Sequence, residues 1–294
     1  MQDSSALAIF LPLALGVIML GLGLSLTVAD FRNVLKHPKA VLVALLCQIV
    51  ILPIACLGLI YAFGLSPALA VGMMLLAASP GGTSANLYSH LAGGDVALNI
   101  TLTAINSALA LFTLPLIVNF SLIQFFGEGK VIPLQFSKVM QVFVIVLGPV
   151  LIGMWLRRRF PGLAARLEKP VKILSAVFLF AVVLVALIQE WDTLVTWAPV
   201  VGLATLAFNL ISLAVGYFGP RLAGIDRRQA TAIGMEIGIH NGTLAIAIAL
   251  SPVLLNNATM AIPAAIYGLI AFITAAIFGA WLKRKHAVPV TTAG

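Results

Sequence analysis

Nine stretches of apolar sequence, each long enough to cross a bilayer, follow one another with little chain between them: about 5–28, 38–62, 66–92, 95–123, 131–158, 166–189, 193–219, 227–250 and 257–284. Connections such as Gly93-Gly94-Asp95 are barely longer than a turn, so neighbouring spans run antiparallel. With 62% hydrophobic residues, 9% charged residues and a mean hydropathy of +1.13, that much apolar surface has no water-soluble core to hide in. The chain is predicted to be an all-α polytopic membrane protein that uses lipid as its solvent. The net charge of +8 does not point to nucleic acid, because the basic residues sit in short clusters between spans rather than along an aromatic face.

Those clusters orient the chain. Arg32, Lys36 and Lys39, the six basic residues between Arg157 and Lys172, Arg221 with Arg227 and Arg228, and Lys283–Lys285 fall on one side, which accounts for 15 of the 17 basic residues. Only Lys130 and Lys138 lie opposite, so the positive-inside rule places the N-terminus outside and the C-terminus in the cytoplasm. The first stretch is read as a retained helix: its lead-in carries no positive charge and no small-residue cleavage site closes it. Short loops and brief tails suggest a bacterial inner membrane.

Two spans are interrupted by polar, glycine-rich sequence: Ser79-Pro80-Gly81-Gly82-Thr83-Ser84-Ala85-Asn86 in the third and Glu236-Ile237-Gly238-Ile239-His240-Asn241-Gly242 in the eighth. Backbone freed from a helix at membrane depth survives only where protein or a wet cavity satisfies it, and paired breaks are the pointer to a transporter's binding site. Spans one to four begin outside and spans six to nine begin inside, and the third span of each set is broken. That is the order of an inverted repeat, and it predicts that the breaks meet near the midplane.

The polar side chains set the chemistry expected there. Glu236 is the one carboxylate that falls in mid-membrane, where an acid is a functional candidate by default. Asn99, Thr103 and Asn106 form a stripe on one face of the fourth span, and Gln48 stands alone in the second. Asp95, after Gly93-Gly94, reads as a helix N-cap, and Pro12, Pro53, Pro115 and Pro149 as kinks or hinges. Cys47 and Cys56, nine residues apart in one span, form neither a bridge nor a metal pair. Carboxylate, amides, hydroxyl and free carbonyls make an oxygen-rich cage for a hard cation with a single acid, which favours Na+. Half-helices starting near Thr83 and Asn241 would aim their positive ends inward, favouring an anionic substrate group.

The strings Pro80–Asn86, Gly94-Asp95-Val96-Ala97-Leu98-Asn99 and Glu236–Ala245 resemble the bile acid:sodium symporter family, and the resemblance spans nearly the whole chain. It implies a single transporter unit over 1–294, with a core domain at about 38–123 and 193–284 and a panel domain at about 5–28 and 131–189 that move against each other in alternating access. It implies one sodium site from Asn86, Asn99, Thr103 and Glu236, with Ala85 contributing only its carbonyl where the family often has Ser. A second would use Gln48, Glu236, the carbonyls of Ile237 and Ile239, and His240 where the family has glutamine. That departure leaves the second site weakened or taken over by a titratable histidine.

The resemblance implies symport of a small organic anion, bile acid-like or pantoate-like, contacted by Thr83, Ser84 and Asn241. The sparse polarity of the last span, Tyr267 and Thr274, inclines towards a compact metabolite. Two alternatives are a proton-coupled carrier using Glu236 and His240, and an efflux carrier related to arsenite exporters, which would be expected to place a cysteine beside the crossover. No enzyme constellation is legible, since His240 with Ser84 or Thr83 lacks a third orienting group. Beyond the anion and the lipid bilayer, no obligate protein partner is evident, and nucleic acid is excluded.

Overall fold

The computed structural model describes residues 16–82, 84–127, 136–189, 191–252 and 254–284. Among these the chain is helical throughout. Helix α1 (Gly16–Ser25) leads through Thr27 into the short α2 (Val28–Arg32), whose start is closed by a capping box in which the Thr27 hydroxyl and backbone N–H both donate to the Asp30 carboxylate at 2.7 Å. The second span is α3 (Pro38–Leu46) and α4 (Leu52–Phe63), joined without a stop by a π turn at Cys47–Ile51. Pro53 explains that turn. It has no N–H for the carbonyl four residues back, and its ring presses on that carbonyl, so the preceding turn widens. Gly64 ends α4 in the left-handed conformation, at φ 59°.

The third span is α5 (Pro67–Ala78) followed by α6 (Ser84–Leu91), and the break falls where the sequence places it. Pro80 pushes Ser79 out of the helical region to ψ 141°, which stops α5 at Ala78. Gly93, at φ 76°, then turns the chain into α7 (Val96–Phe126), where Asp95 is the expected N-cap, its carboxylate accepting the Leu98 N–H at 3.1 Å. At about 1.5 Å per residue the 31 residues of α7 run for about 46 Å, well beyond a hydrocarbon core. Helices α8 (Phe136–Arg159), α9 (Pro161–Gln189) and α10 (Trp191–Leu222) follow. The eighth span is again broken, into α11 (Arg227–Gly238), capped by Asp226, and α12 (Gly242–Leu250), capped by Asn241. A single 3-10 turn at Thr259–Ala261 precedes α13 (Ile262–Arg284).

Among the described residues, four unbroken spans are apolar and long enough to cross a membrane: Pro38–Phe63, Val96–Phe126, Val195–Leu222 and Thr259–Arg284. Their outward faces carry bare aliphatic side chains such as Leu116, Leu269 and Ile277, each more than 60% exposed, a surface that suits lipid and not water. The two broken spans sit inside this set. Ten consecutive residues of α5, Leu69–Ala78, are buried, and α11 is buried from Ala230 to Gly238 between α6, α7 and α10. Pro12 and the first residues of the first span lie outside the described residues, as do Lys130 and Lys285. Cys47 and Cys56 are both free and buried.

Close helix contacts are made where side chains are absent. A Cβ on Gly72 would run into the Met260 backbone, and one on Gly216 would lie 2.9 Å from the Gly234 Cα, so α5 meets the 3-10 turn and α10 meets α11 backbone to backbone. Gly72→Val is expected to force these elements apart and to lower stability by about 1–3 kcal/mol, read as a fall in melting temperature of the detergent-purified protein.

Candidate functional site

The two breaks face each other and are tied together. The Gly82 N–H donates to the Ile239 carbonyl at 2.6 Å and the Asn241 N–H to the Pro80 carbonyl at 2.7 Å, an antiparallel bridge centred on Gly81 and His240. Each unwound segment thereby supplies partners for backbone groups the other has freed, which is what hydrocarbon demands. A second tie anchors one end, where the Asp95 N–H donates to the Arg228 carbonyl at 3.0 Å.

Glu236 lies beneath the bridge, wholly buried. Its carboxylate accepts from the Thr103 hydroxyl at 2.7 Å, from the Asn106 amide at 3.5 Å and from the Gly81 backbone N–H. All three donors are uncharged. Gly81 has to be glycine, because a Cβ there would occupy the space of the Glu236 carboxylate.

Around this acid the structure gathers acceptor oxygens that have no donor. Asn99 gives its Nδ2 to the Ala232 carbonyl at 2.7 Å, and its Oδ1 is buried with no hydrogen-bond partner. The same holds for Asn86 Oδ1 and Asn106 Oδ1. Gln48 is oriented likewise: its Nε2 donates to the Ser79 carbonyl at 2.9 Å and its Oε1 is left over. A buried acceptor without a donor costs about 1–3 kcal/mol, so these four amide oxygens suit a ligand that brings a donor or a positive charge.

Of the residues singled out from sequence, Gln48, Asn99, Thr103, Glu236 and His240 are buried together at the crossover, and Asn106 joins them through its bond to Glu236. Ala85 is buried and half-buried Asn86 follows it on α6, while the side chains of Ile237 and Ile239 pack inward. The Ile239 carbonyl takes part in the bridge. Ser84 opens α6 and is half-buried, and Thr83 lies outside the described residues. Asn241 commits its Oδ1 to capping α12 through the Leu244 N–H at 3.0 Å, so what it can offer a ligand is its Nδ2.

His240 is fixed by neighbours other than the acid. Its Nδ1 stands 3.1 Å from the Ser79 carbonyl, which requires a proton on that nitrogen, and 3.4 Å from Gln48 Nε2. The ring stacks on Phe208 at 5.3 Å and meets Tyr267 edge-on at 5.5 Å, and its Nε2 is a buried acceptor with no partner.

One contributor was not singled out from sequence. Asn209 and the Tyr267 hydroxyl both donate to the Gly238 carbonyl at 2.8 Å, and the Thr274 hydroxyl donates to Asn209 Oδ1. This trio holds the last turn of α11 at the break. The signal in the sequence was a lone amide inside the seventh span, of the same kind that drew attention to Gln48.

A narrow cleft of about 30 Å³ lies beside Pro80, lined by Met19, Val150, Ala110, Leu114, Leu244 and Ile248 among others. Its lining is almost wholly apolar. Ser107 supplies the one hydroxyl, whose oxygen has no partner.

Apolar helices surround two broken ones with a buried acid at their crossing, an arrangement suited to a membrane transporter. Residues 12–197 match the model of the Sodium Bile acid symporter family, and the chain belongs to that family. It is 25% identical over 276 residues to the uncharacterized sodium-dependent transporter YocS of Bacillus subtilis, covering 94% of this chain and 84% of that one. It is 28% identical to the probable sodium/metabolite cotransporter BASS1 of Arabidopsis thaliana chloroplasts, over 86% of this chain and 61% of the plant protein. The rabbit ileal sodium/bile acid cotransporter is 26% identical over 82% of this chain and 69% of its own. The family model stops before the second break, whereas the alignment with YocS is long enough to take it in.

Gly81→Ala is expected to expel the Glu236 carboxylate or break the bridge, costing about 1–3 kcal/mol, whereas Gly58→Ala, with open space around its Cβ, should leave stability unchanged. Thermal unfolding of the two variants side by side checks this.

Proposed function

We propose that this chain is a sodium-driven symporter of an organic monoanion, working by alternating access. The observation that carries the reading is the wholly buried Glu236 carboxylate bonded by Thr103 and Asn106, with the amide oxygens of Asn86, Asn99 and Asn106 buried and without donors on the neighbouring helices α6 and α7. A hard monovalent cation satisfies such a set, and a thiolate- or imidazole-seeking metal does not. Among the described residues no group of three or more His, Cys, Asp and Glu is present to hold a transition metal. The names of the relatives, sodium-dependent transporter and sodium/bile acid cotransporter, support the same ion.

In this reading one Na+ takes oxygens from Asn86, Asn99, Thr103, Glu236 and the Ala85 carbonyl. Gln48 Oε1, with the carbonyls of Ile237 and Ile239, offers a second place beside it, narrowed by His240. The anion sits at the starts of α6 and α12, against Thr83, Ser84 and the Asn241 amide, where the N-terminal ends of two half-helices converge. The narrow cleft beside that position is lined almost wholly by apolar side chains, which favours a carboxylate on a compact aliphatic frame. Binding cation and anion at one crossover makes each favour the other, which is the coupling symport needs.

The reading includes an inverted repeat of nine helices. Two units each present a 12-residue half-helix, a break, a shorter half-helix of eight or nine residues and then a long span. Core (about 38–123 and 193–284) and panel (about 5–28 and 131–189) are the moving parts, with the N-terminus outside, the C-terminus in the cytoplasm and the bacterial inner membrane as location.

Uptake into proteoliposomes tests this with a panel of anions, including pantoate and taurocholate, at two pH values. We expect uptake that needs an inward sodium gradient and is lost in Glu236→Gln. Thr103→Val should weaken apparent sodium affinity about tenfold or more, the loss of one charge-assisted bond and one ligand. His240→Gln, whose amide can still donate to the Ser79 carbonyl, should keep its sodium dependence. Uptake driven by protons without sodium, and lost in His240→Gln, would instead assign coupling to Glu236 and His240. Sodium should also raise the melting temperature of wild type but not of Glu236→Gln, because an ion that binds only the folded state stabilises it.

A further inference from the structure

Away from the crossover, at the arginine-rich end of the helices, a second cleft opens between the α1–α2 corner and the end of α8. It holds about 370 Å³ and is lined by Leu26, Thr27, Ala29, Arg32, Met154, Arg157 and Arg158. The corner and α8 are held close by glycine. A Cβ on Gly23 would strike the Val150 backbone, and one on Gly153 would come within 2.8 Å of the Gly23 carbonyl carbon. That close crossing brings Arg32, in the last turn of α2, alongside Arg157 and Arg158, in the last turn of α8.

Three guanidiniums around one cleft repel one another unless an anion joins them. The acids nearby are already engaged. The Asp30 carboxylate is taken by the Thr27 hydroxyl and N–H, and Glu168 meets Arg157 through one contact at 3.3 Å. A single contact leaves Arg157 with further donors, and Arg32 and Arg158 are exposed. Arg159 does not line the cleft, its guanidinium lying 5.7 Å from the Phe160 ring. The remaining wall, Leu26, Ala29 and Met154, is apolar, and the cleft sits where apolar spans give way to charge. Forked guanidinium donors match phosphate oxygens two at a time, and basic pockets between spans at a membrane surface bind phosphate head groups.

We propose that this cleft is a binding site for an anionic phosphate ester, with the arginines on the phosphate and the apolar wall against the carbon frame that carries it. A phospholipid head group and a soluble phosphate share that chemistry. The site is separate from the crossover, and its failure would leave the transport reading untouched.

Native mass spectrometry of the full chain in detergent, with phosphatidylglycerol, phosphatidylcholine or inorganic phosphate as probe, tests it. Phosphatidylglycerol is expected to bind at least about tenfold more tightly than phosphatidylcholine, and Arg32→Gln/Arg158→Gln should remove that preference. Lys283→Gln/Arg284→Gln takes the same charge from another helix end and should leave it intact. If inorganic phosphate alone gives the arginine-dependent binding, the phosphate site stands with a soluble ligand. Equal loss in both double variants, or no response to Arg32 and Arg158, overturns it. Should the first double variant fail to fold, the exposed Arg158→Gln is read in its place, with about a threefold or greater loss expected.

Discussion

Two hydrogen bonds between unwound strands hold the centre of this protein. Without the pairing of Gly82 with Ile239 and of Asn241 with Pro80, both breaks would leave amides and carbonyls bare at membrane depth, each at a cost of several kcal/mol. Other features follow from that bridge. Gly81 must lack a side chain because Glu236 lies against it, α11 must be buried because its broken end meets α5, and the long spans α7, α10 and α13 are the walls that exclude lipid from the pair. The bridge also binds elements more than 150 residues apart in sequence, so the site forms only when both halves of the chain have folded.

The polar side chains of the crossover are held in fixed orientations by backbone carbonyls. Glu236 is hydrogen-bonded by neutral groups, and amide oxygens nearby are pinned the wrong way round by carbonyls of Ala232 and Ser79 that capture their nitrogens. Turning an amide over would sacrifice those bonds, so the proposed ion site is organised in advance and little reorganisation would be required on binding. His240 fits the same pattern from the other side. It is locked between Phe208, Tyr267 and the Ser79 carbonyl, so it stiffens the break.

What could be read in the sequence was what local chemistry dictates. The breaks at Ser79–Asn86 and Glu236–Gly242 fell where glycine, proline and polar side chains interrupt apolar spans, and Asp95 caps α7 because it follows two glycines and opens an apolar run. Glu236 with Asn99, Thr103 and Asn106 was legible because a polar group in hydrocarbon is expensive wherever it points. The π turn at Cys47–Ile51 was not foreseen, since it depends on how Pro53 settles against the turn before it and not on residue type alone. Nor was the Asn209–Tyr267–Thr274 trio, which joins side chains from two spans onto a carbonyl in a third, a coincidence that only packing creates. The donorless amide oxygens were equally out of reach. Sequence names an asparagine but not which end of its amide faces inward.

The π turn in the second span carries an implication for how this chain can change. A π turn holds one more residue than an α turn, and one residue is worth about 100° of rotation. Gln48 sits within that turn, so its inward aim at Ser79 and His240 depends on the count of residues between Leu46 and Leu52 as much as on their identity. Deleting one of them would return the span to a regular helix of nearly the same length and hydropathy, able to cross the same bilayer, while swinging Gln48 out of register with the crossover. Among homologous chains this segment should therefore drift freely in its aliphatic letters and hold its spacing to Pro53 fixed.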